Sequence, residues 1–226
     1  MAMLYWGAAM INDEKLEAKL ESHYDWLEGK PGGVQAVLTG IIECEDLSSL
    51  NMSGVVFDGA EVVDCNLSWS SLCKAVIRGS RFHRCSFWDT GLDRIDVEQS
   101  AFVSCDFTLA DLSGAQFRKG VNLHESKFME AELAGANLEG VRMMIGTVGD
   151  GKYIKSLQCG EYPVTYTADM MQIGCGLRPI REWLEMTPSQ VEHIEEICPN
   201  WWAKWKPILA QIVEASPAEP TVISDK

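Results

Sequence analysis

The chain has 226 residues, a formal net charge of −14 at pH 7 and an isoelectric point near 4.7. This acidity argues against nucleic acids and anionic membranes as direct ligands, because a negatively charged surface repels both. No apolar run is as long as a membrane span, and the apolar start lacks the basic flank and cleavage site of a signal peptide. We therefore expect a cytoplasmic protein whose eight cysteines are reduced thiols.

Residues 12–28 predict an amphipathic helix. Its apolar positions repeat at helical spacing and are Leu16, Leu20, His23 or Tyr24, and Leu27. Asn12 or Asp13 can cap the first turn, and the glycines and proline of residues 29–33 end the helix. We assign residues 1–40 to this helix and to a cap over the structure that follows, because an open end would expose apolar side chains and unpaired backbone.

From Ile42 to Met143, large apolar residues recur every five positions, with a slip of one residue near Gly120. Two positions before most of them stands a small side chain. Neither the helical period of 3.6 nor the strand period of 2 explains this pattern, and a short repeat sustained for so long indicates a solenoid. Five residues with two side chains inward make one flat side, and four sides close a coil of twenty residues.

Three segments carry a resemblance to a known family: CNLSWSSL at 65–72, ADLSGAQF at 110–117 and AELAGANLEG at 131–140. They resemble the pentapeptide repeat family, whose unit is A(D/N)LXX. The resemblance implies a mainly β fold, a right-handed quadrilateral β-helix, over residues 41–145. Glu45 and Leu50 depart from the unit, and we expect the slip near Gly120 to form a bulge.

Cys65, Cys85 and Cys105 lie one coil apart at the inner small position and should stack inside the core. Adjacent coils permit a disulfide, and clustered cysteines also suggest a metal site. Three sulfur atoms in a line on one wall cannot coordinate a metal tetrahedrally, so we favour buried thiols that act as small apolar groups. We predict no metal and no cofactor.

Five charged residues of alternating sign occupy equivalent outward positions: Asp58, Arg78, Glu98, Arg118 and Glu139. We call this set the charge column. Stacked at about 4.8 Å, neighbours should form salt bridges that contribute about 0–1 kcal/mol each. The column can serve as a recognition strip, but a charge-compensated face that fixes register is the favoured interpretation.

Trp69 and Trp88 project from adjacent coils of another face, beside Leu109 and Met129. Exposed aromatic residues on a polar solenoid indicate a contact surface for a protein partner. The C-terminal segment can equally cover them, and the sequence does not decide between the two. Together with the Trp-rich end of the chain, this surface favours a homodimer.

The remaining outward faces carry acids that we expect to contact a partner. They are Glu61 and Asp64 on one face, and Asp93, Asp111 and Glu132 on the other. For each residue taken alone, acidity that only provides solubility is the simpler explanation.

Charge density limits how far the solenoid can imitate a nucleic acid. Residues 41–145 hold sixteen acids and nine bases, a net charge of −7. Over five coils of about 4.8 Å this is one net charge per ~3.5 Å, about half the density of duplex DNA. Imitation of a duplex would therefore use one or two faces.

After Met143 the period ends, and residues 146–215 predict an α+β module. A hairpin around Gly160 and a further strand precede three helices, of which the first has Pro179 near its first turn and the second has Pro188 at its first position. Pro207 should kink or interrupt the last helix. We expect residues 216–226 to be a disordered tail.

The segments YTADMMQIGC, RPIREW and WWAKWKPIL resemble a module that follows pentapeptide repeats in many phage-encoded proteins. This resemblance implies a phage or prophage origin and no reaction. The sequence has no G-x-S-x-G, Walker or H-E-x-x-H motif, so we predict that the protein is not an enzyme.

Two functions remain. Several pentapeptide repeat proteins act as acidic mimics of duplex DNA against topoisomerases or defence nucleases, and the resemblance implies a similar inhibitor or modulator of a host DNA-handling enzyme. The second function is a scaffold or assembly module in which the repeats are a spacer and the C-terminal module contacts the partner. An enzyme with its site in that module is a third, less favoured, alternative.

Overall fold

The structure is a computed structural model that describes residues 13–195 and 197–221. It begins with helix α1 (Glu14–Leu27), continues as a parallel β-solenoid of about five coils, and ends in a small antiparallel sheet with three helices. The predicted fold class is therefore confirmed. In the described part of the chain, no helix is long and apolar enough to cross a membrane.

The solenoid strands are short and parallel. They are β1 (Val37–Glu43), β2 (Val56–Val63), β3 (Val76–Arg78), β4 (Arg81–His83), β5 (Asp96–Glu98), β6 (Ala101–Val103), β7 (Gln116–Phe117), β8 (Val121–Asn122) and β9 (Val141–Met143). β2 spans two sides of its coil, so it pairs with β3 at one end and β4 at the other, and with β1 on the opposite edge. The other two sides are joined by single bridges one coil apart, such as Asn66 to Ser86.

The core follows the five-residue period. The large residues of the series are buried from Ile42 to Leu133, and Leu138 is half-buried. Phenylalanines of successive coils stack face to face, with ring centroids 4.9 Å apart for Phe82 and Phe102 and 4.7 Å apart for Phe87 and Phe107. The predicted inward direction of these side chains is confirmed.

Each side of the coil ends in a corner residue whose φ is positive. Thirteen described residues other than glycine adopt this left-handed conformation, among them Asp64 (φ 53°), Trp69 (φ 60°) and Arg84 (φ 53°). Left-handed backbone costs a non-glycine residue about 1–2 kcal/mol, so the coil-to-coil hydrogen bonds must offset a repeated strain. These corners were not predicted from the sequence, although glycines recur at the same position of the repeat.

The slip near Gly120 adds one residue to its coil. Ala101 pairs with Arg81 twenty residues before it but with Asn122 twenty-one residues after it. The backbone amides of Gly120 and Val121 both donate to the carbonyl of Gly140, at 3.0 and 3.3 Å. The register between β8 and β9 is irregular at this point. The predicted bulge is thus confirmed.

Helix α1 covers the first coil. The side chain of Asp13 accepts hydrogen bonds from the amides of Lys15 and Leu16 at 2.8 and 3.3 Å, which selects Asp13 as the helix cap. The buried carboxylate of Glu45 accepts the amide of Asp13 at 3.1 Å. Glu45 departs from the repeat because it faces the helix N-terminus, whose partial positive charge stabilises an acid.

His23 joins α1 to the first coil. Its ring is buried, its Nδ1 accepts the amide of Ala36 at 3.1 Å, and it stacks on Trp26 with 5.2 Å between ring centroids. Burial lowers the pKa of the His23 imidazole, and the backbone groups of Ser53 and Met52 act in the opposite direction. The neutral ring is therefore part of the cap.

The C-terminal module contains a four-stranded antiparallel sheet and three helices. Its elements are β10 (Lys155–Cys159), β11 (Tyr162–Tyr166), β12 (Met170–Ile173), β13 (Gly176–Pro179), α2 (Ile180–Glu185), α3 (Pro188–Glu195) and α4 (Pro199–Ala215). The hairpin and the third strand were predicted, and β13 was missed. Pro207 lies inside α4 without interrupting it.

Tryptophans form the core of this module. Trp183, Trp201 and Trp202 are buried, and their indole N–H groups donate to the carbonyls of Met171, Cys159 and Met186 at 2.8, 2.6 and 3.1 Å. Satisfied indole donors allow large aromatic rings to be buried at little polar cost. These three residues are thus unavailable to a dimer interface.

The module closes the C-terminal end of the solenoid. The side chain of Gln172 accepts the amide of Met144 at 2.7 Å, and Ile154 packs in the solenoid core. The tail returns to the last coil, where the carbonyl of Thr221 accepts the amide of Gly135 at 2.6 Å. The expectation of disorder is wrong for residues 216–221, because they find open hydrogen-bonding groups on the coil, and residues 222–226 lie outside the described part.

The corner conformation predicts opposite effects for two glycines. Gly79 has φ +55°, so Gly79→Ala should lower the free energy of unfolding by about 1 kcal/mol. Gly91 lies on a flat side, where an added Cβ would have its nearest neighbours 3.9 Å away, so Gly91→Ala should raise it by about 0.4–1 kcal/mol. Urea denaturation measures both, and equal effects of the two substitutions would contradict the assignment of the corners.

The buried imidazole predicts a pH dependence of stability. The pKa of His23 in the folded protein lies below its unfolded value near 6.5, so its contribution is present above about pH 6.5 and is lost as the pH falls below it. His23→Gln keeps an acceptor for Ala36 without a titrating group. Between about pH 7.5 and 5.5 the melting temperature of the variant should fall less than that of the wild type. Equal falls would show that His23 does not link the cap to pH.

Candidate protein-binding surface

Four apolar side chains lie together at one corner of the solenoid: Trp69, Trp88, Leu109 and Met129. We call this set the aromatic corner. Trp69 is 56% exposed, Met129 49% and Leu109 39%. The rings of Trp69 and Trp88 meet edge to face with centroids 5.1 Å apart. The described C-terminal residues leave this surface open, so the alternative that they cover it is wrong.

Two acids alternate with the apolar side chains in the same column. Trp69, Asp89, Leu109 and Glu130 are the corner residues of four successive coils, with φ values of 60°, 50°, 62° and 55°. Both acids are exposed, and neither forms an ion pair with any residue that the structure describes. Asp89 and Glu130 were not predicted as site residues, although they share a position of the repeat with Trp69 and Leu109.

Asp111 and Glu132 stand beside this column. They are bridge partners on adjacent coils, and both are exposed. Asp111 accepts the amide of Ser113 at 2.9 Å, and Glu132 accepts that of Ala134 at 2.8 Å. Amide donors fix the direction of each carboxylate without cancelling its charge, so two predicted acids extend the negative surface of the aromatic corner.

Two of the other predicted acids, Asp64 and Asp93, form ion pairs. Arg84 binds Asp64 through two hydrogen bonds of 2.7 and 2.6 Å, and these lower the pKa of the Asp64 carboxyl. Asp93 accepts the thiol of Cys73 at 3.1 Å and pairs with Arg94 at 2.8 Å, and these contacts, the thiol first, lower its pKa. Both carboxylates remain ionised, but adjacent guanidinium groups offset their field.

Glu61 shares its face with positive charge as well. It lies in register with Arg81 of the next coil, and Asp64 lies on the same face beside Arg84. The structure therefore brings Trp69, Trp88, Asp111 and Glu132 together on neighbouring sides, and it places Glu61 and Asp64 on a charge-compensated face.

The charge column has the predicted register but other ion pairs. Asp58 lies beside Arg78, and Arg78 beside Glu98. No ion pair joins these neighbours in the described structure, and Arg118 binds Asp96 instead. Exposed pairs differ by less than about 1 kcal/mol, so a long side chain turns to whichever acid on its face is nearest. The prediction of salt bridges along this column is wrong.

The repeats match a known family over part of the solenoid. A model of pentapeptide repeats matches residues 51–89 and 105–143 in eight copies. These two parts of the solenoid are therefore similar to the pentapeptide repeat family. No curated protein matches the chain.

Several solved structures resemble this chain at low identity and low TM-score. A protein of the cyanobacterium Cyanothece is 16% identical over 60% of this chain and 99% of its own, with a TM-score of 0.35. QnrB1, a plasmid-mediated fluoroquinolone resistance protein, is 14% identical over 50% and 72%, with a TM-score of 0.36. A protein of the Arabidopsis thaliana thylakoid lumen is 22% identical over 45% and 66%, with a TM-score of 0.30.

The cysteines of the pentapeptide repeats are inner packing groups. Cys65, Cys85 and Cys105 are free and buried, as predicted. Each thiol approaches a backbone carbonyl of the preceding coil, for example Cys85 Sγ at 3.4 Å from Val62 O. Hydrogen bonding to Cys85 and burial raise the pKa of Cys65, and a contact with Cys105 raises the pKa of Cys85. Protonated buried thiols are weak nucleophiles and poor metal ligands.

Thiol reactivity should divide the eight cysteines by burial. Cys44, Cys175 and Cys198 are exposed and should react with a thiol reagent in the native protein. The three cysteines of the inner column should react only after denaturant is added, because the coil must open to release them. Rapid native reaction of more than the exposed and half-buried thiols, or stoichiometric zinc in the purified protein, would contradict this assignment.

Proposed function

We propose that this protein is a non-enzymatic binding protein that contacts a protein partner through the aromatic corner and the acids around it. The observation that carries the proposal is a surface of tryptophan rings beside exposed carboxylates that form no salt bridge in the described structure. Interfaces are enriched in tryptophan at their centres and have polar rims, and this surface has the same arrangement. Its negative charge selects a partner with a basic surface.

The finer proposal is that of a phage-encoded, partial mimic of duplex DNA that inhibits or modulates a host topoisomerase or defence nuclease. Its support is the net charge of −14 and the stacking of acids one coil apart beside the corner. Because Asp64 and Asp93 are in ion pairs, Asp111 and Glu132 are the acids that we assign to mimicry. A basic DNA-binding site would then meet carboxylates at one corner and not around the whole rod.

A scaffold whose C-terminal module binds the partner is the second candidate. The module has an exposed groove of its own, lined by residues that include Asp169, Met170, Ile180 and Arg181. Because Gln172 and Ile154 of the module complete the last coil, removing residues 146–226 would expose the solenoid core. Surface substitutions therefore separate the two candidates better than a truncation does.

The homodimer remains a prediction with less support. Trp201 and Trp202 are buried in the module, so of the two surfaces that favoured a dimer only the aromatic corner stays exposed in the described structure. Light scattering at high micromolar concentration tests it, and a monomer mass would exclude it.

Competition with duplex DNA for a candidate topoisomerase or nuclease tests the finer proposal. The double substitution Asp111→Asn with Glu132→Gln keeps both amide contacts but removes two carboxylate charges that form no salt bridge in the described structure. It should raise the half-inhibitory concentration about tenfold at low salt and less at high salt, because salt screens exposed charges. The melting temperature should stay nearly unchanged.

A matched control changes the net charge by the same amount at carboxylates that are in ion pairs. Asp64→Asn with Asp93→Asn removes two carboxylates that are already paired with arginines, and it should alter competition much less. If both double variants compete equally, or if competition does not change with salt concentration, the proposal of mimicry by Asp111 and Glu132 is wrong.

A further inference from the structure

The column of corner residues that contains Trp69 and Leu109 of the aromatic corner alternates between apolar and acidic side chains along the solenoid axis. Trp69, Asp89, Leu109 and Glu130 follow one another in a single column, as apolar, acidic, apolar and acidic. Because backbone hydrogen bonds join successive coils, the steps of this column are about 4.8 Å, and the four residues span about 14 Å. A partner that contacts all four must present matching groups at nearly the same step.

The step length favours a helix over an extended peptide. An α-helix presents one side chain per turn along a stripe, about every 5.4 Å, whereas an extended strand presents side chains on one side about every 6.7 Å. Over three steps a helix departs from the column by about 2 Å and a strand by about 6 Å. Only the helix keeps each side chain opposite its own coil.

The charges define the composition of that helix. Asp89 and Glu130 have no cationic partner among the described residues, and Asp111 and Glu132 add negative charge beside them. A second copy of this chain would place acids against acids, which is unfavourable. Lysine or arginine on alternate turns, with apolar residues on the turns between, is complementary to the column.

We propose that the aromatic corner binds an amphipathic helix of a partner protein, laid along the solenoid axis, with apolar and basic residues alternating at successive turns of one stripe. This inference rests on the proposed function and specifies its partner. Trp69 and Leu109 pack against the apolar turns, and Asp89 and Glu130 pair with the basic ones. Trp88 contacts the Trp69 ring edge to face and so holds it in position for the helix.

Labelled peptides of about 18 residues test the proposal with the full chain, by fluorescence anisotropy near physiological salt. One lysine–leucine peptide has the matched alternation, a second has the same composition in shuffled order, and a third has a central proline that breaks the helix. The matched peptide should bind about tenfold more tightly than the other two. Equal binding of all three would show that charge alone acts, and would overturn the proposal.

Substitutions at the corner locate the site. Trp69→Ser is compatible with the backbone, because Ser49 and Ser104 occupy equivalent corners at φ 59° and 54°. It should weaken binding of the matched peptide about tenfold, as should Asp89→Asn with Glu130→Gln. Ile41→Ser removes another exposed apolar side chain, 69% exposed on the first coil, and should leave binding unchanged.

Three results would overturn the helix proposal. They are unchanged binding by Trp69→Ser, equal weakening by Ile41→Ser, and a dimer of the chain alone that Trp69→Ser dissociates, since a second copy would then be the occupant. If no peptide binds but the protein still competes with duplex DNA for its enzyme, this inference fails and the proposed function stands. If neither occurs, both fail.

Discussion

The structure depends on hydrogen bonds between backbone groups one coil apart. Leu67 N donates to Ser86 O at 2.7 Å, and Phe87 N donates to Asp106 O at 2.7 Å, nineteen residues further on in each case. To keep these bonds, every regular coil must close in twenty residues, with four sides of five. The left-handed corners are the cost of that closure, and they persist because the bonds on both sides determine them.

A stacked solenoid has two open ends, and the chain closes each with a different device. At the first coil, Leu16, Leu20 and His23 of α1 cover the core, and the carboxylate of Glu45 meets the helix N-terminus. At the last coil, the C-terminal module and its returning tail supply hydrogen bonds and apolar contact. Trp183, Trp201 and Trp202 are buried in the core of the module. The aromatic corner is therefore the large exposed aromatic surface of the described structure.

The period of five predicts what the backbone determines. It places Phe82 and Cys85 inside, because burying an apolar side chain stabilises the fold by a few kcal/mol. It locates the bulge at Gly120, because an extra residue shifts the register of the hydrogen bonds between successive coils. The period also gives the repeat position of Asp89 and Glu130. Only the structure shows that this position is the corner column, in which the two acids alternate with Trp69 and Leu109.

Surface pairing and distant contacts do not follow from the period. Whether Arg118 turns to Glu98 or Asp96 depends on less than about 1 kcal/mol, and the sequence carries no comparable signal. The return of Thr221 to Gly135 joins residues that no local pattern connects. The candidate site was therefore predicted in part: its aromatic residues and two of its acids were named, while ion pairs reduced the role of Asp64 and Asp93.

The central claim is that a partner contacts the aromatic corner and not the C-terminal module. Fluorine NMR of protein labelled with 5-fluorotryptophan measures this directly, because the eight tryptophans divide between these places and α1 or the chain start. Trp69→Phe and Trp88→Phe assign the two corner signals. On addition of the matched basic peptide, those two signals should shift while the signals of Trp183 and Trp202 stay in place. Shifts confined to the module, with Trp69 and Trp88 unchanged, would contradict the claim.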